Sequence, residues 1–149
     1  GPGTADVYLA AQNATAGAAD VLAVQDALDQ AFFGNGTVDQ LVRAFPAPTV
    51  SQAVAATIYV RGTTAQVLTP VLDAAWASFL VEVPVGGFDL SPGPDHTIPR
   101  GMIIAALADS DPNILAVDVT VPAADVTVPP TSKVLDGGAT FTVVVLAQA

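Results

Sequence analysis

The run from Val50 to Arg61 constrains the fold more than any other part of the chain. Val50, Val54, Ile58 and Val60 fall on one parity, and Ser51, Ala53, Ala55, Thr57, Tyr59 and Arg61 on the other. A repeat of two is that of a β-strand, in which successive side chains point to opposite faces of a sheet. This predicts a long central strand with one buried face. Pro46 and Pro48 precede it; a proline has no N–H to give to a ladder, so the two are expected to bring the chain in extended and to prevent earlier pairing.

Elsewhere the period changes. Val21, Val24, Leu28, Ala31 and Phe32 recur at three and four residues, with Asp20, Gln25, Asp26 and Asp29 on other sectors, which predicts a helix over 20–32 ended by Gly34-Asn35-Gly36. Leu68, Leu72, Ala75, Trp76 and Phe79 make a second stripe. Pro70 interrupts it, so either Thr64 caps a helix running to Leu80 through a bend, or Thr69 is the cap and Pro70 the first helical residue; the first is preferred. A third helix is expected over 98–108 behind Thr97. Strands are expected at Val7 to Leu9, at Ile114 to Val121 with Leu115, Val117, Val119 and Val121 on one face, and at Thr140 to Leu146. Between Glu82 and Thr97, Pro84, Gly86, Gly87, Pro92, Gly93 and Pro94 are too dense for a regular element and mark an exposed, mobile loop.

This order describes an α+β fold, read as a ferredoxin-like sandwich: a mostly antiparallel sheet with helices on one face. Val54, Ile58, Leu72, Trp76, Leu107, Val117 and Val119 should meet in one core. The 149 residues suit a single domain, 1–149, which on folding buries roughly 68–70% of its unfolded surface. Gly1-Pro2 resembles the remnant of a cleaved affinity tag, and the chain is read as a domain excised from a longer protein.

Composition removes several functions. Fourteen acidic residues against Arg43, Arg61, Arg100 and Lys133 give a net charge of −10, a field that repels phosphate, so neither nucleic acid nor an anionic membrane surface is an expected partner. With no cysteine there is no thiolate chemistry. The longest apolar run, Met102 to Ala108, is far short of the ~20 residues of a spanning helix, and the chain is expected to be soluble.

Chemical motifs are sparse. His96, the single histidine, shares a loop with Asp95 and Asp89 and could be drawn as a general base of a hydrolase, but no nucleophile motif or second histidine accompanies it, so a solvated loop histidine is the preferred reading. Asp109-Ser110-Asp111 starts like a calcium loop, yet Pro112 and an apolar strand follow where further oxygens are needed. Gly34-Asn35-Gly36 and Gly86-Gly87 lack the phosphate-cradling spacing and a neighbouring Lys. Trp76 and Phe79 read as core. Accordingly no catalytic, cofactor-binding or metal-ligating residue is assigned. What remains is the outward face of the central strand. Ser51, Ala53, Ala55, Thr57 and Tyr59 are small and uncharged where a solvated face usually carries Lys and Glu. Such a face suits packing against another protein, or against a further segment of the same polypeptide.

The stretch Met102 to Leu107, Asp111-Pro112, Asn113 to Val121 and Pro122-Ala123-Ala124-Asp125-Val126 resembles the C-terminal region of phage baseplate J-like proteins. There too a helix runs through a turn into a strand, a P-A-A-D-V-like segment and a last strand. The resemblance extends over Val7 to Leu9, Asp20 to Phe32, Ala44-Phe45-Pro46, Thr57 to Val60 and Ser78-Phe79-Leu80, and departs at Pro70 and in the Gly/Pro-rich loop from Val83 to Thr97. It implies a structural wedge subunit in the baseplate of a contractile phage tail or a phage-derived injection machine. Its partners would be other wedge proteins and copies of itself, it would be made in the bacterial cytoplasm, and it would carry no catalytic residues. A small-ligand regulatory domain with a polar cleft at a dimer interface is the alternative, and a hydrolase using His96 a weaker one.

Overall fold

Apolar residues two apart in strands and three or four apart in helices must be buried together, and the largest such burial here is made by one sheet with two helices over it. A computed structural model describes residues 4–11, 14–32 and 41–147. In chain order these form β1 (Thr4–Ala11), β2 (Ala14–Thr15), α1 (Ala18–Phe32), β3 (Leu41–Pro46), β4 (Thr49–Val60), α2 (Ala65–Glu82), β5 (Thr97–Ile98), α3 (Arg100–Ala108), β6 (Ile114–Val121), β7 (Val126–Thr127) and β8 (Lys133–Val145). The α+β class is as expected. The sheets are β2-β1-β3, β6-β4-β8 and the short pair β5-β7.

β4 is the centre of the larger sheet. Its even residues Val54, Ala56, Ile58 and Val60 are buried, and Leu68, Leu72, Trp76, Phe79 and Leu80 of α2, Ile103 and Leu107 of α3 and Val119 of β6 join them in the core, with Val83, Ile98, Val128 and Val134. All seven residues expected to converge belong to it, Val117 as a half-buried neighbour. α2 packs against β8, α3 against β6, and the two helices against each other, so both cover one face.

The mostly antiparallel sheet is corrected. β4 pairs in parallel with β8 along nearly its whole length and antiparallel with β6 over its second half, and β1 pairs in parallel with β3. Since β6 and β8 lie on opposite sides of β4, the segment 122–132 has to carry the chain past β4. β7 anchors that crossing by pairing with β5.

Thr64 is the cap of α2, its Oγ1 accepting from Val67 N–H at 3.4 Å. The helix continues through Pro70, and Thr69 donates its hydroxyl to Ala65 O instead of starting a new helix. Three strand assignments change. β3 forms despite Pro46, which pairs with Leu9, because β3 is an edge where a missing N–H costs no ladder bond. Leu115 and Val121 do not share the buried face of Val119 but are exposed, since register shifts at Ala55/Ala56 and Tyr59/Val60 break the alternation of β6. β8 begins at Lys133 and passes through Gly137-Gly138 as an irregularity opposite Gln52 and Val54. A Cβ on Gly137 would stand 2.9 Å from Ala53 N, and Gly138 has φ +112°, so both positions need glycine. The side chains of Ala31 and Phe32 and the turn Gly34-Asn35-Gly36 lie outside the described residues.

Candidate interaction surface

Facing residues on paired strands share a face of the sheet, so the register of β4 defines what surrounds its odd side chains. Ala55 lies between Thr140 of β8 and Val121 of β6, Thr57 between Thr142 and Asp118, and Tyr59 between Val144 and Ala116. Ser51 and Ala53 are exposed; Ala55, Thr57 and Tyr59 are half-buried by these neighbours. The five residues singled out in the sequence therefore do lie on one face, opposite the helices. The neighbouring strands extend it with more small, neutral side chains and one carboxylate, Asp118. Arg100 Nη2 stands 3.9 Å from Asp118 Oδ1 and donates to Val119 O. At 3.9 Å, with Asp118 exposed and Arg100 half-buried, the pair holds little energy, but it offsets the charge of Asp118.

The loop after α2 is less open than expected. Residues 89–95 are exposed, but Val83 and Gly86 are buried, Phe88 bridges to Thr97, and Thr97-Ile98 form β5. Gly86 donates its N–H to Ser132 O at 2.8 Å with φ +83°, and a Cβ there would lie 2.3 Å from Pro130 O. Only glycine suits that approach.

His96 sits where this loop closes. Its Nδ1 is 2.9 Å from Gly86 O, which can only accept, so that nitrogen carries the proton. Nε2 is 3.5 Å from Asp95 Oδ2, and the side chain is 42% exposed. It is thus a loop histidine, partly solvated and bonded to the loop's own backbone. Asp95 also accepts from His96 N–H, and Asp89 from Ser91 N–H, which places Asp89 in a separate turn. Asp109 is the C-cap residue of α3, and Asp111 Oδ1 accepts from Asn113 N–H at 2.8 Å, shaping the turn into β6. Among the described residues no group of three or more His, Cys, Asp or Glu is placed to hold a metal ion, and no helix is long and apolar enough to cross a membrane. Trp76, stacked on Phe79 at 5.9 Å, is core, with Nε1 donating to Asp136 Oδ1 at 3.1 Å.

Two residues gained roles that the sequence reading did not give them. Lys133, only 5% exposed, donates Nζ to Val83 O at 2.6 Å, Leu80 O at 3.1 Å and Val81 O at 3.5 Å, supplying donors to carbonyls at the end of α2. Burial pushes its pKa below the ordinary value. Asp125, from the Pro-Ala-Ala-Asp-Val segment, accepts from Arg100 N–H at 2.8 Å and so caps α3, whose own cap position is Pro99 without a side-chain bond. That conspicuous segment has a structural task. Compared with protein-family models and with curated proteins, the chain matches none.

Proposed function

We propose that the chain is a structural wedge component of the baseplate of a contractile phage tail or a related injection machine, acting through protein–protein contacts and not as an enzyme. The observation that carries this is the neutral outer face of the β6-β4-β8 sheet, centred on Ala53, Ala55 and Thr57, in a chain of net charge −10. Acidic surroundings discourage random association while the neutral patch stays available for a matching surface. Its partners are other wedge proteins and copies of itself, and its place is the baseplate of the particle. The same charge disfavours nucleic acid and direct membrane binding. A ferredoxin-like sandwich belongs to this proposal; two helices over one face of a sheet that contains a parallel pair support it.

Ala53→Asp and Ala55→Lys, placed separately in the full-length protein, test the patch. Both side chains would stand on the outer face and leave the core intact, so circular dichroism should be unchanged while the count of complete baseplates or infectious particles falls. Normal particle yield from folded variants would remove this face from the interface and turn attention to the loop at 83–97.

A further inference from the structure

We propose that the open edge of β8 is a self-pairing surface, to which a second copy of this chain adds its own β8 in the antiparallel sense. β8 is the last strand of its sheet, and among the described residues no strand pairs with its other edge. Leu146 N–H donates to Val60 O at 2.7 Å. Alternate residues of a strand direct their N–H and C=O to opposite sides, so Thr140, Thr142 and Val144 bond toward β4 while Phe141, Val143 and Val145 hold theirs toward the open edge. A row of such groups is a template for another strand.

Edges are normally guarded by charge, proline or a bulge. From Thr140 to Val145, Thr-Phe-Thr-Val-Val-Val, there is no charged residue, proline or glycine. The opposite edge is guarded: β6 carries Asp118, and Pro122 follows its end. Self-pairing along β6 would bring two copies of Asp118 close together, whereas the nearest acid to the β8 run in sequence, Asp136, lies beyond Gly137-Gly138. For two chains of charge −10, the neutral run is where backbones can meet with least repulsion. A two-fold axis at Val143 sets that residue opposite its own copy, Phe141 opposite Val145, and Thr142 opposite Val144. Facing β-branched and aromatic residues favour such a ladder, and Val145, 52% exposed, would be covered by it. This surface is distinct from the outer face of β4 and does not rest on the baseplate reading.

Sedimentation and residue-resolved hydrogen exchange of the full chain test the proposal. The mass should rise with concentration from one 14.9 kDa chain toward two. Pairing should strengthen as salt goes from about 0.05 to 0.5 M, because repulsion between the copies is screened. In the paired state the amides of Phe141, Val143 and Val145 should exchange at least about tenfold more slowly, while those of Thr142 and Val144, already bonded to β4, should change little. Val145→Lys should weaken association at least about tenfold by guarding the edge, and Val145→Thr should preserve it. The proposal is overturned by a chain that stays monomeric throughout, by a dimer in which the three outward amides are unchanged, or by one indifferent to Val145→Lys. It is equally overturned if those amides gain protection only when a different protein is added.

Discussion

Trp76, Leu72 and Ile58 in the layer built on β4 are all but completely buried, whereas in the layer built on β1 the buried apolar side chains, among those described, are Ala16, Ala44 and Ala47. Fully burying a side chain the size of leucine contributes about 1.5–3 kcal/mol, and an alanine offers one methyl group. In α1, Val21, Val24 and Leu28 are half-buried and Leu22 is exposed. Main-chain pairing of β1 with β3 and Gln25, whose Oε1 accepts from Ala44 N–H at 2.7 Å, tie this layer together. Two sheets can thus have similar ladders and different stability, because apolar burial sets most of the difference.

The harshest test removes the largest side chain of the second core. Trp76→Ala leaves a cavity between α2 and the sheet and deprives Asp136 Oδ1 of a donor, and should cost roughly 3–5 kcal/mol, read as a fall in the urea midpoint. An unchanged midpoint would break the contrast between the layers at its stronger side.

Next in size is Lys133. Lys133→Ala strands the carbonyl of Val83 in a buried place, while Leu80 O keeps the Val83 N–H, and should cost about 1–3 kcal/mol. Its pH dependence has a definite sign. Burial lowers the folded-state pKa below 10.5, so between the two values the unfolded chain holds more proton than the folded one, and stability rises with pH through that window. Below the folded pKa the penalty of the buried charge is constant. Lys133→Met should abolish the alkaline rise. A rise that survives the substitution would assign it to another group.

A smaller loss is expected at the remote cap. Asp125→Ala leaves Arg100 N–H without its carboxylate and should cost about 0.5–2 kcal/mol in thermal or urea unfolding. Asp125→Asn, which keeps an acceptor oxygen, should recover most of that. If alanine and asparagine behave alike, the cap contributes nothing measurable to the second layer.

The same contrast explains what could be read from the sequence. β4 and α2 were legible because Val54 to Val60 and Leu68 to Phe79 repeat at the periods of strand and helix and are buried on one side. β3 was not, because Pro46 forbids a central ladder but not an edge, and edge or centre is decided by the other strands. The first half of β8 was hidden by Gly137-Gly138, which breaks a strand pattern in sequence yet works as a bulge in space. Parallel pairing of β4 with β8 depends on the path of 122–132, which carries no period at all. The neutral face was legible as far as Ser51, Ala53, Ala55, Thr57 and Tyr59; its continuation through Thr140, Thr142 and Val121 needed the register. Lys133 and Asp125 were invisible for one reason. Their partners lie 50 and 25 residues away.

The smallest effect should come from the first layer itself. Tyr8 and Phe45, on paired strands β1 and β3, have ring centroids 5.8 Å apart, and both remain 36% exposed. An aromatic pair of this kind contributes about 0.5–1.5 kcal/mol beyond its burial, and here burial is incomplete. Tyr8→Ala should therefore cost about 1 kcal/mol in global stability, well under the loss at Trp76. Its sharper readout is local. Amides of β1 and β3 should exchange by opening that leaves β4 intact, and Tyr8→Ala should speed them without changing the amides of Ile58 or Leu72, which exchange only through global unfolding. If Tyr8→Ala instead accelerates both sets equally, the two layers open as one unit, and the difference in their buried side chains does not divide the stability of the chain.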